Sequence, residues 1–151
     1  MEPSPRLKVF LDTSALIAGI ASSSGAAKEV INLAEMRLIT IYISRQVIIE
    51  ADRNIKSKLP EMLKELRAFI KILSPVLVDD PTTEEIKKYS SCINQNDAPI
   101  LSAAISSGAD FLVTWDKKHF IKKRSSFAVN IKIVTPGEFL QYFRKYVEEL
   151  K

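Results

Sequence analysis

Apolar and polar positions along this chain repeat in two periods, and the switches between them mark out its elements. Leu7 to Leu11 is a short apolar-rich run, as a first strand buried in a parallel sheet reads. It ends at Asp12-Thr13-Ser14. Ala15 to Ile20 predicts a short helix and Ser22 to Gly25 a loop. Ala26 to Arg37 has helical spacing, with Val30, Leu33 and Ala34 on one face. Leu38 to Ile43 is β-branched and aromatic, a strand. Ser44 is placed to cap a helix from Arg45 to Lys58. Pro60 opens a second helix, Glu61 to Leu73, with an apolar stripe of Met62, Leu63, Leu66, Phe69, Ile70 and Leu73. That stripe suits either the core or a second subunit. Pro75 to Val78 is extended. Thr82 and Glu85 fit a capping box that opens a helix to about Ser91. Asn96 is placed to cap a further helix that carries Pro99 in its first turn, and Gly108 stands where a glycine stop belongs. Asp110 to Thr114 and Ile131 to Val134 read as strands. Thr135-Pro136-Gly137-Glu138 is another capping box, opening a final helix with Phe139, Leu140, Phe143, Tyr146, Val147 and Leu150 apolar.

Strands alternate with helices almost throughout. The expected fold is an α/β class, three-layer α/β/α sandwich with a mainly parallel central sheet, in one domain over 1–151. No apolar run approaches ~18 residues, so no membrane span is expected. The opening MEPSPRLK lacks the apolar core of a signal peptide. A lone cysteine, Cys92, excludes an internal disulfide and a Cys-rich zinc site, and is read as a small buried residue, not a nucleophile. The cytoplasm is the expected compartment.

The candidate chemistry lies in the acids. Asp12 follows a strand directly, at the end where open α/β sheets place ligands; it also suits a helix N-cap. Glu50 interrupts the apolar run Val47-Ile48-Ile49, where a buried carboxylate needs a partner, unless the helix turns it to solvent. Asp97 sits in a first helical turn, where the helix dipole alone favours an acid. Asp116 follows a strand and also suits a turn. Asp52 lies ~200° round its helix from Glu50 and cannot share its site. Asp110 begins its strand, the wrong end, and is read as structural.

What these acids share is placement at the carboxyl edge of a parallel sheet. Carboxylates gathered there repel one another unless a cation joins them. An oxygen-rich set without Cys or an obvious His selects Mg²⁺ or Mn²⁺. Such an ion activates water and stabilises charge at a phosphodiester. The chain has 22 Lys and Arg against 18 Asp and Glu. With four acids set aside at a metal, fourteen face those twenty-two, a balance that suits a phosphate-rich partner. The run Lys117-Lys118-His119-Phe120-Ile121-Lys122-Lys123-Arg124 reads as an RNA phosphate contact through Lys117, Lys118, Lys122, Lys123 and Arg124, or as a solvated loop. His119, the single histidine, is left outside the expected site. Trp115 and Phe120 are read as core residues, with base stacking as the alternative.

Together LDTSALIAG, VIIEA, NDAPILSAA, DFLVTWDKKHF and TPGEFL resemble the PIN-domain family over about Lys8 to Leu140. The resemblance implies a metal-dependent ribonuclease, related to the VapC-type toxins of toxin–antitoxin systems. By it, Asp12, Glu50, Asp97 and Asp116 form the metal and catalytic set, with Thr13, Ser14 and Thr114 as supporting hydroxyls. It also implies Mg²⁺ or Mn²⁺ as cofactor, RNA as substrate, an antitoxin protein as partner, and a homodimer. The rival is a non-catalytic RNA-binding or assembly module that keeps the fold. An Asp-based phosphatase is disfavoured, because Ser14 stands where its second Asp belongs. With four glycines, the chain has neither a P-loop nor a G-x-G-x-x-G run.

Overall fold

The computed structural model describes residues 6–127 and 129–150. Five strands form one sheet: β1 (Leu7–Leu11), β2 (Ile39–Ser44), β3 (Val76–Val78), β4 (Phe111–Val113) and β5 (Lys132–Val134). Their order is β3-β2-β1-β4-β5, and every neighbouring pair is parallel. Seven α-helices join them: α1 (Thr13–Ala21), α2 (Ala26–Glu35), α3 (Arg45–Lys58), α4 (Leu63–Leu73), α5 (Thr83–Lys87), α6 (Ala98–Ser106) and α7 (Pro136–Glu149).

The order sets the position of the site. From β1 the chain steps outward to β2 and β3, then returns past β1 to β4 and β5. The direction therefore reverses between β1 and β4, which pair with Leu11 beside Val113. In a parallel sheet the carboxyl ends of two such strands frame an open crevice, because their connections leave in opposite directions. The helices tie the two halves together: α1 packs on α2, α3 and α4, α7 packs on α2, α5 on α6, and α6 also meets α3.

Central strands buried on both faces explain the near-continuous apolar runs. Val9, Phe10, Leu11, Leu112 and Val113 are all at most 1% exposed. The stripe on α4 is used inward: Leu66 is buried, and Met62, Leu63, Phe69, Ile70 and Leu73 pack against the core. Gly19 lets α1 and α2 pack closely, since a Cβ there would lie 2.1 Å from Ile31 Cδ1 on α2 and displace it. Among the described residues no helix is long and apolar enough to cross a membrane.

Several expected boundaries move. Helix α2 stops at Glu35, where Arg37 turns to a positive φ of 61°. Helix α5 stops at Lys87 instead of Ser91, its capping box intact but followed by irregular turns. Asn96 does not cap α6: Asp97 holds the N-cap position, and Asn94 Oδ1 accepts from the Asn96 N–H at 2.8 Å. The Ser44 cap and the Thr135–Glu138 box form as expected. So does the glycine stop, with Gly108 at φ 74°.

Candidate active site

Four elements deliver the four acids. Asp12 follows β1 directly, Asp116 follows β4 by three residues, Glu50 lies in the second turn of α3, and Asp97 stands just before α6. All four carboxylates line one cavity of about 520 Å³ at the carboxyl edge of the sheet. Asp110 contrasts with them. It accepts the Lys8 N–H at 2.8 Å at the opposite edge, as its position at the strand start implies. Asp52 pairs with Arg67 at 3.5 Å, away from Glu50's partners.

Hydroxyls hold the acids in place. Asp12 Oδ1 accepts from Ser14 Oγ at 2.8 Å and from the Ala15 N–H at 2.9 Å. Its Oδ2 accepts from Thr114 Oγ1. Thr114 Oγ1 in turn accepts the Asp116 N–H at 2.9 Å, so one hydroxyl links the acids that end β1 and follow β4. Ser14 Oγ also accepts the Trp115 N–H at 3.0 Å, tightening the same junction. Thr13 Oγ1 donates to Glu50 Oε2 at 2.8 Å, and Gln46 Nε2 to Oε1 at 3.1 Å. Each Glu50 oxygen keeps a second lone pair.

Asp12 both caps α1 and lines the cavity. Asp97 is different. It stands at the N-cap of α6 but makes no capping bond, so the helix does not use its oxygens. Burial is the first cause that raises the Asp97 carboxyl above its ordinary range, and the nearby Asp116 charge is the second. Asp12 is raised further, from 3.8 to about 6, chiefly because it is 4% exposed. Hydrogen bonds from Thr114, Ala15 and Ser14 oppose that shift without cancelling it.

Among the described residues, Asp97, Asp116 and His119 form a group of possible ligands whose ligand atoms lie within 4.8 Å of one another. This donor set, two carboxylates whose like charges raise one of them, fits a divalent cation. Asp12 and Glu50 line the same cavity outside that group.

A family model described as a PIN domain matches residues 8–118. The chain belongs to the PIN-domain family. The uncharacterized protein MJ1680 of Methanocaldococcus jannaschii is 23% identical over 154 residues, covering 94% of this chain and 95% of that one. Among solved structures, PAE2754 of Pyrobaculum aerophilum matches with TM-score 0.63 at 20% identity, over 92% of this chain and 96% of its own. VapBC2 of Rickettsia felis, bound to a DNA fragment from its promoter, gives 0.60 at 21%, over 84% and 97%. VapC20 of Mycobacterium tuberculosis, a Sarcin-Ricin loop cleaving toxin, gives 0.53 at 16%, over 82% and 98%. At these identities the structures speak to the fold.

Around this PIN-domain cavity the structure adds residues that the sequence did not single out. Asn54 and Lys58, one and two turns beyond Glu50 on α3, line the cavity with the acids. Both follow Glu50 by helical multiples of four, a spacing visible in the sequence once Glu50 is placed. His119 is the larger omission. The segment Lys117–Ile121 is a π-helical turn, with Ile121 N–H bonded to Asp116 O at 3.2 Å and Lys122 N–H to Lys117 O at 2.8 Å. This turn buries Phe120 and brings His119 back over Asp116. His119 thereby stands beside two of the four acids, a neighbour that its place in the basic run did not announce.

Trp115 also departs from expectation. Phe120 is core, but Trp115 is 39% exposed on the cavity rim. In the basic run, Lys117, Lys118, Lys122 and Lys123 are exposed. Arg124 is committed elsewhere: its Nη1 donates to both Glu138 carboxylate oxygens, at 3.0 and 3.1 Å, and to Ile133 O at 3.1 Å. It ties the run to α7.

Proposed function

We propose that this chain is a divalent-metal-dependent nuclease that hydrolyses RNA phosphodiester bonds. One observation carries the reading: four carboxylates from four separate elements line a single cavity at the point where the strand order reverses. Such a gathering of like charge is costly in a protein that has no use for it.

Asp97 and Asp116 are the pair suited to hold the ion directly, with Asp12 and Glu50 on the walls around it. When bound, Mg²⁺ or Mn²⁺ supplies an activated water and offsets charge developing on the phosphate. The chain's own residues do the positioning. Thr114 and Ser14 fix Asp12, and Thr13 and Gln46 fix Glu50, so neither acid swings away as substrate enters. Lys58 brings a cation to the same cavity, where it meets a phosphate oxygen. The exposed lysines of 117–123 extend that positive surface along the strand.

Structural neighbours crystallised as VapBC complexes support the toxin half of a toxin–antitoxin pair as the biological setting. An antitoxin protein and a second copy of the chain are then the expected partners. With the α4 stripe packed inward, Ile72, Val76 and Leu77 are exposed apolar residues left for such contacts. Light scattering of the pure chain should report twice its 17.0 kDa mass; the monomer mass overturns the dimer.

The test of the activity is direct. The purified chain is incubated with single-stranded RNA and with DNA of the same sequence, with Mn²⁺, Mg²⁺ or EDTA. Cleavage of RNA that EDTA abolishes supports the reading. Intact RNA under every metal condition, with retained RNA binding, supports the non-catalytic module.

A further inference from the structure

Residue composition suggested an all-oxygen centre, and the fold puts a nitrogen into it. His119 Nδ1 lies 3.1 Å from Asp116 Oδ2 and 3.9 Å from Asp97 Oδ2. The imidazole is not free to drift. Its own backbone N–H donates to Asp116 Oδ1 at 2.9 Å, so Asp116 is gripped by both the backbone and the ring of one residue. Phe120, 1% exposed, anchors the next position in the core.

We propose that His119 is an inner donor of the cation centre, through Nδ1, and that the centre is a mixed nitrogen–oxygen site favouring Mn²⁺ and Co²⁺ over Mg²⁺. The proposal rests on the reading that Asp97 and Asp116 hold a divalent cation. Donors about 2.1 Å from one octahedral ion stand about 3.0 Å apart when adjacent and about 4.2 Å when opposite. The 3.1 Å contact matches an adjacent pair, and the 3.9 Å contact becomes one when His119 and Asp97 close on the ion by under an ångström. Neutral imidazole carries one N–H. With that proton on Nε2, Nδ1 offers a lone pair, and ligation requires a change of tautomer with no net proton transfer. Mg²⁺ takes oxygen ligands and gains little from the exchange, whereas imidazole affinity rises along the series from Mn²⁺ to Co²⁺.

His119 is the only histidine in the chain, so an untagged preparation holds one imidazole. Electron spin-echo spectra of the Mn²⁺-loaded full chain should show the ¹⁴N modulation of a coordinated imidazole, and labelling histidine alone with ¹⁵N should remove it. In metal titrations His119→Ala should weaken Mn²⁺ about tenfold while changing Mg²⁺ far less. Bound Mn²⁺ without imidazole coupling overturns the proposal, as does an equal loss of both ions. Those results leave the metal reading standing provided Asp97→Asn still abolishes Mn²⁺ binding. Failure of the wild-type chain to bind Mn²⁺ at all overturns both. The wild-type spectrum needs no variant, so a poorly folded His119→Ala cannot blur the outcome.

Discussion

Asp12 is where opposing residue-scale forces are most visible. Burial pushes its carboxyl up to about 6, and three hydrogen bonds pull it back. The sign of the consequence follows. In the metal-free chain the folded carboxyl holds its proton more tightly than the unfolded one, at 3.8. Protonation therefore favours the fold, and stability falls as pH rises from about 4 to about 6, by up to about 3 kcal/mol. Urea unfolding at both ends of that window should show the loss, and Asp12→Asn should flatten it. An identical slope in Asp12→Asn would assign the effect to other groups. The same residue shows what sequence can give. The place of each of the four acids in its element was legible because a local rule fixes it: the end of a strand, an interruption of an apolar face, the start of a helix. Whether Asp97 capped its helix was not legible, because that depends on the rotation of one side chain.

At the scale of elements, caps and stripes were legible and the π-helical turn was not. Thr82, Thr135 and Ser44 cap as their spacing requires, because a capping bond reaches only three residues. A π-turn has no comparable signature. Its extra residue per turn is stabilised by what it delivers, here the burial of Phe120 and the grip of His119 on Asp116. Phe120→Ala should therefore act twice. It should lower unfolding free energy by about 3 kcal/mol in urea titrations, and weaken metal binding by loosening Asp116. A variant destabilised to that degree but binding Mn²⁺ as well as wild type would separate the turn from the site. The tie of Arg124 to α7 was not legible for a similar reason. A cation in a basic run resembles its neighbours in sequence, but this one meets Glu138 from a helix fourteen residues on.

At the scale of the whole molecule, alternation of strands and helices was enough for a parallel α/β fold, but not for the strand order. That order decides the site, since it brings the ends of β1 and β4 together, 102 residues apart at the Asp12–Thr114 bond. The charge distribution is also a property of the whole. Acids converge in one cavity while Lys117, Lys118, Lys122 and Lys123 stand exposed on the segment leaving it. Replacing these four with Glu should weaken RNA binding and make it less steep in salt, since fewer counterions are released. An unchanged salt slope would make the run an ordinary solvated loop. If the gathered acids hold a metal and cut RNA, Asp97→Asn is the substitution that must stop the reaction. Asp97 serves no cap, so its loss should leave the melting temperature unchanged or raised as repulsion with Asp116 is relieved. Mn²⁺-dependent cleavage should fall about a hundredfold or more. An Asp97→Asn protein that melts early yet keeps its specific activity would make Asp97 a structural residue and leave the acids without a metal to hold.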